Sequence, residues 1–153
     1  MTKTVIALAA DHAGFPLKEV LGDELRVLGY EPLDLGTHGL DSVDYPDFGH
    51  AAALAVLEGR AALGVICCGT GIGISMAANK HRGIRAALCH DATTARLARE
   101  HNDANILALG ARIVGTEVAR DCLRAFLATP FGGGRHESRV AKIDHVRTKE
   151  AVR

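Results

Sequence analysis

A cysteine followed by glycines at alternate positions, Cys68-Gly69-Thr70-Gly71-Ile72-Gly73, is the segment of this chain best suited to chemistry. Glycines in that pattern let the backbone turn tightly and aim several N–H groups at one point. Ahead of a helix N-terminus those groups suit an oxyanion or a phosphate. The same positive field favours a thiolate at Cys68. A thiolate beside an oxyanion cradle can take a proton from a carbon next to a carbonyl. By itself the motif reads equally well as a plain turn with a buried cysteine. Other loop chemistries fit worse. No Gly-Lys-Ser/Thr follows the glycines, the spacing departs from GxGxxG, and Gly71–Met76 lacks the arginine a cysteine phosphatase would need.

Four further groups could join it. Asp11-His12 supplies a carboxylate and a titratable imidazole, although an aspartate there could simply cap a helix. His101-Asn102-Asp103 ends a helical stretch, where a histidine could equally complement the helix C-terminus. Arg112 follows an apolar run. Arg135 and Arg139 lie four apart, so on a helix they share a face, and two guanidiniums on one face match a phosphate. Solvated surface arginines are the alternative, and Gly132-Gly133-Gly134 just before them would let the segment swing over a site. The eight histidines include no HxxH, HxxxH or HxH pair and no acid-rich ligand cluster stands beside them, so no metal is expected.

The elements that must position these residues alternate. Apolar runs at Val5–Ala9, Glu31–Leu35, Leu63–Cys67, Ile84–Cys89 and Ile106–Leu109 read as strands. Between them, helical spacing is read at Leu17–Leu28, from Pro46 to about Glu58, near Ser75–Lys80, from the N-cap Asp91 to about His101, and after Thr116. A terminal helix is read over Arg135–Glu150. Alternation of this kind predicts a five-stranded parallel sheet covered on both faces, in a single domain spanning 1–153, with strand order 2-1-3-4-5. Ligands in such sheets bind beyond the carboxyl ends of the strands at the switch point, here between strands one and three. The loops after those strands are Asp11–Gly14 and Cys68–Gly73. Topology and chemistry point to one crevice.

Bulk properties exclude other classes. In 153 residues, 18 basic side chains offset 18 acidic ones, so no overall field attracts nucleic acid or an anionic membrane. No stretch approaches the ~20 apolar residues of a membrane helix, and Val5–Ala10 is too short for a signal segment. The four cysteines form no CxxC pair and no disulfide-like spacing, so a cytoplasmic location is expected.

Five segments together carry a resemblance. They are Ala10–Gly14, Cys68–Ser75, Ala77–Lys80, His101–Asn105 and Gly133–Val140, and in this order they resemble the type B ribose-5-phosphate isomerases over essentially the whole chain. The resemblance implies a Rossmann-like sandwich that forms a homodimer with each active site shared between subunits; whether dimers pair into tetramers stays open. It implies interconversion of ribose 5-phosphate and ribulose 5-phosphate without a cofactor. Cys68 would move a proton between C1 and C2 through a cis-enediolate. His101 and Thr70 would assist ring opening, and Asp11 would shuttle protons among the sugar oxygens. The N–H groups of Gly69, Thr70, Gly71, Ile72 and Gly73, with Asn102, would hold the enediolate. Arg112, Arg135 and Arg139, with His12 nearby, would grip the phosphate. Relatives that use a glutamate base further along the loop are not matched, because Thr70–Asn79 contains no acid. Isomerases of allose 6-phosphate, galactose 6-phosphate or a tetrulose phosphate share these motifs, as could a non-catalytic sugar-phosphate binder.

Overall fold

A computed structural model describes residues 2–146. Its elements are β1 (Val5–Ala10), α1 (Phe15–Val27), β2 (Glu31–Asp34), α2 (Tyr45–Leu57), β3 (Leu63–Cys68), α3 (Ile72–Ala78), β4 (Ala86–Leu88), α4 (Ala92–Asn102), β5 (Ile106–Gly110), α5 (Thr116–Ala128) and α6 (Arg135–Asp144). The sheet is five-stranded, and every pairing in it is parallel. Asp91 caps α4 as expected, its Oδ1 accepting the Thr94 N–H at 2.7 Å. The predicted terminal helix stops at Asp144; the part of that expectation beyond residue 146 lies outside the described residues.

The strand order is 2-1-3-5-4, not the expected 2-1-3-4-5. Burial accounts for the exchange. Every residue of β5 is buried, whereas the three residues of β4 are only half-buried and follow directly on Arg85. The more apolar run takes the inner place, where both faces are covered. The other edge is β2, whose Pro32 has no N–H to give a second neighbour. Asn79 blunts the β4 edge. Its side chain donates to the Ala86 carbonyl at 2.9 Å and accepts the Ala86 N–H at 2.8 Å, filling the place of a further strand.

The exchange also redistributes the helices. Right-handed crossovers put a helix on one face when the chain steps one way across the sheet, and on the other when it steps back. Stepping back from β4 to β5 therefore sends α4 to the face of α1. There Leu17, Leu21 and Leu25 of α1, Ala95 and Ala98 of α4, and Cys122, Leu123 and Phe126 of α5 form one core. On the opposite face Ala52 and Ala53 of α2 pack with Ile74 and Ala78 of α3. The switch point stays between β1 and β3, where it was expected.

Candidate active site

The exits of β1 and β3 lie side by side. Ala10 is paired with Cys67, and the Asp11 N–H donates to the Cys67 carbonyl at 3.3 Å. Asp11 is buried, and its Oδ1 accepts the Gly14 N–H at 2.9 Å. His12 beside it accepts the Val43 N–H on Nδ1 at 3.1 Å. Cys68 ends β3, and its sulfur accepts the Gly71 N–H at 3.1 Å. Helix α3 starts at Ile72, three residues earlier than expected, so Ile72 and Gly73 form its first turn.

Sterics explain the glycines. Gly71 has φ of 77°, and a Cβ there would stand 2.5 Å from Leu88 Cδ1 and 2.9 Å from the Leu109 carbonyl carbon. Gly73 lies under the ring of Tyr45, where a Cβ would come within 2.5 Å of Cε2 and Cζ. At Gly69 a Cβ would meet the guanidinium of Arg112 at 3.0 Å, which places that arginine on the loop. Arg112 is tied there by its own N–H, which donates to the Gly69 carbonyl at 2.9 Å.

Not every N–H of the loop is available to a ligand. Gly71 donates to Cys68, and Ile72 donates to Thr70 Oγ1 at 3.2 Å. Those of Gly69, Thr70 and Gly73 find no protein acceptor among the described residues, and they are the donors left for an oxyanion.

The remaining candidates are elsewhere. Helix α4 leaves the carboxyl end of β4 and returns to the opposite edge of the sheet. Its last residues, His101 and Asn102, lie near Asn105, whose carbonyl accepts the N–H of Gly64 at the beginning of β3. Cys68 is at the other end of that strand, roughly 13 Å from Gly64 by strand rise. Arg135 and Arg139 keep company with His101. The Gly132 N–H donates to the Glu100 carbonyl at 2.9 Å, and His136 stacks on His101 with ring centroids 4.4 Å apart. One chain thus assembles Asp11, His12, Cys68, Gly69, Thr70, Gly71, Ile72, Gly73 and Arg112 at one edge. His101, Asn102, Arg135 and Arg139 stand at the other. Partial burial and the positive charges of His101, Arg135 and Arg139 hold His136 below its ordinary value of 6.5.

The other three thiols are held protonated by burial. Burial raises Cys67 far above the usual thiol range, with neighbouring Cys68 and Asp11 adding to it. Burial likewise pushes Cys89 and Cys122 up to about 11 each. Residues missed by sequence reasoning are Val43, Tyr45 and His136. His136 sits beside Arg135 in a segment that already stood out, whereas Val43 reaches the site from the loop before α2 and Tyr45 from the first turn of that helix. No three His, Cys, Asp or Glu side chains cluster for a metal among the described residues, and no described helix is long and apolar enough to cross a membrane.

A parallel α/β sheet with a cysteine, a carboxylate and an arginine gathered at the exits of its central strands has the makings of an enzyme, with a crevice at the carboxyl edge suited to a small anion. Comparison with known proteins makes the class specific. The model of the ribose/galactose isomerase family matches residues 6–143. Ribose-5-phosphate isomerase B of Escherichia coli (strain K12) is 46% identical over 138 residues, covering 90% of this chain and 93% of that protein. The solved structure of ribose-5-phosphate isomerase B from Clostridium thermocellum superposes with a TM-score of 0.91 at 53% identity, covering 92% of this chain and 95% of the other. A D-erythrulose-4-phosphate isomerase of Pectobacterium atrosepticum is 39% identical over 95% of this chain and 96% of its own length. The chain belongs to the ribose/galactose isomerase family, in its type B ribose-5-phosphate isomerase branch. It is a sugar-phosphate isomerase of the aldose–ketose class.

Proposed function

We propose that this enzyme interconverts ribose 5-phosphate and ribulose 5-phosphate with Cys68 as its base. The observation that carries the reading is the Gly71 N–H aimed at the Cys68 sulfur beside buried Asp11, an acceptor role that a thiolate fills better than a thiol. In the aldose-to-ketose direction the thiolate takes the C2 proton. The C2–H electrons form the C1–C2 double bond of a cis-enediolate, and the aldehyde oxygen becomes the oxyanion. The N–H groups of Gly69, Thr70 and Gly73 stabilise that charge. The thiol returns the proton to C1, and Asp11 carries the hydroxyl proton from O2 to O1. One carbon is reduced as its neighbour is oxidised, so the balance needs no cofactor and no metal.

Ring opening needs a proton removed from O1 and one given to the ring oxygen, the role of His101 with Thr70. The phosphate falls to Arg112, Arg135 and Arg139 with His12 beside them, and Asn102 adds a contact to the enediolate. Because His101, Asn102, Arg135 and Arg139 stand a strand's length from Cys68 in one chain, each site draws these four from a second copy. A homodimer with a two-fold axis satisfies that requirement symmetrically; pairing of dimers into tetramers is a separate matter. The four cysteines are all free, which suits a reducing compartment such as the cytoplasm.

Support for the pentose comes from the higher identity to proteins bearing that name than to the four-carbon isomerase. The test is turnover of ribose 5-phosphate by purified protein in EDTA, with Cys68→Ala alongside. The expected outcome is robust conversion by the wild type and a loss of roughly a thousandfold or more in kcat for the variant. A folded wild-type protein that leaves ribose 5-phosphate unchanged but turns over a four- or six-carbon sugar phosphate would move the assignment to that substrate.

A further inference from the structure

Helix α6 carries two of the three proposed phosphate arginines, yet none of its residues is buried. Within one chain, packing does not fix its direction. A groove of about 420 Å³ runs beneath its C-terminal end, between Ile143 and the β4 edge at Ala86 and Ala87. At its start the chain turns through Gly133 and Gly134, both at positive φ (63° and 58°), a joint with little stiffness of its own. A helix held this way points where its polar ties direct it.

Those ties converge on one side chain. Arg85, immediately before β4, is largely buried. Its Nε donates to the Asp103 carbonyl at 2.9 Å, and its Nη1 donates to Asp144 Oδ2 at 2.9 Å. Its Nη2 approaches Asp103 Oδ2 at 3.4 Å. Asp103 is the C-cap of α4, directly after His101 and Asn102, and takes the left-handed conformation there with φ of 46°. Arg99 holds the same carboxylate from the other side at 3.0 Å. A single planar guanidinium therefore joins the end of α4 to the end of α6, a geometry that the fork of arginine permits and a lysine would not.

We propose that Arg85 is a positioning residue for phosphate binding: through Asp144 it sets the direction of α6, and through Asp103 it keeps that helix in register with His101. The stack of His136 on His101 fastens the near end of α6, and the Arg85–Asp144 pair fastens the far end. With the far end released, the helix turns about the glycines and takes Arg135 and Arg139 out of line. The inference rests on the reading of those arginines as the phosphate grip.

Asp144 is the place to test it, because changing Arg85 would also uncap α4. Asp144→Asn, Asp144→Glu and Arg139→Ala are compared with the wild-type enzyme for kcat, for KM toward ribose 5-phosphate, and for competitive inhibition by inorganic phosphate. Asp144→Asn is expected to raise KM and the phosphate inhibition constant together, roughly fivefold, with kcat held within about twofold. Asp144→Glu is expected to restore most of that loss. Unchanged KM and phosphate inhibition in Asp144→Asn, while Arg139→Ala weakens both, would overturn the tie alone. If Arg139→Ala leaves phosphate inhibition intact, the arginine reading has failed and the proposal falls with it. A drop in kcat and melting temperature of Asp144→Asn at constant KM would assign the pair to stability and overturn the proposal as well.

Discussion

The Val43 N–H donates to Nδ1 of His12 at 3.1 Å, so the loop before α2 decides which face of that imidazole the crevice receives. With Nδ1 accepting, the neutral ring carries its proton on Nε2 and presents a donor. The same loop lays Tyr45 over Gly73, and thus spans from the β1 exit to the β3 exit. A wall of the crevice is held by one backbone amide and one aromatic ring.

His12→Asn separates the two functions of the imidazole. The Asn carbonyl can stand where Nδ1 stood and keep the Val43 N–H, while the Nε2 donor is lost. Melting temperature is expected to hold, and KM for the sugar phosphate to rise about tenfold, the size of one hydrogen bond to a charged group. His12→Ala should raise KM similarly and also lower the melting temperature. Steady-state kinetics beside thermal melts of both variants check this.

The loop is anchored in turn by Lys18, which is fully buried on α1 and pairs with Asp34 at 2.7 and 2.8 Å. Burial pushes Asp34 upward, but the Lys18 hydrogen bond and charge and the Gly36 N–H outweigh it, leaving the carboxyl below its ordinary 3.8. A depressed carboxylate stabilises the fold above its unfolded value, and that stability is lost as pH falls through the lower folded value. Lys18→Met leaves Asp34 without its partner. Breaking a fully buried pair costs several kcal/mol, but Asp34 is 35% exposed, so about 2 kcal/mol is expected by denaturant unfolding at pH 7. The difference from wild type should shrink as pH falls below 3.8 through the lower folded value, where the carboxylate protonates.

The alternation of strands and helices, the β1–β3 switch point and the Cys68 loop could all be read from the chain, because each depends on local patterns. The exchange of β4 and β5 could not. It turns on which of two apolar runs, Ile84–Cys89 or Ile106–Leu109, is the more completely buried, and that depends on what packs on them in the fold. The separation of His101 from Cys68 follows from the same geometry, since a helix after a strand exit must end at the opposite edge. Tyr45 and Val43 carried no motif; their place comes from hydrogen bonds and contacts that close only in the folded loop.

His136 makes the docking of α6 sensitive to acid. Its imidazole is held below 6.5 by partial burial first, then by the charges of His101, Arg135 and Arg139. Protonation is harder in the docked state than in the released one, so docking is fully supported above pH 6.5. It weakens as pH falls from 6.5 through the lower docked value. The ring-current shift of His136 from its stack with His101 should therefore collapse over that window in an NMR titration. In His136→Phe, which keeps an aromatic ring but cannot titrate, the acid rise in KM should be smaller than in the wild type.

The separation of the two half-sites yields a prediction about mixtures. Cys68→Ala and His101→Ala are each expected to be nearly inactive as pure proteins. In a mixed dimer, one site combines the altered cysteine of the first chain with the altered histidine of the second and is dead. The other site combines the intact Cys68 of the second chain with the intact His101 of the first. Random exchange makes half the dimers mixed, each with one intact site of two, so about a quarter of wild-type activity should return. Co-expression of the two variants, or unfolding and refolding them together, followed by an assay with ribose 5-phosphate, measures it. If each chain built its whole site alone, every site would keep one lesion and the mixture would stay as inactive as its parts.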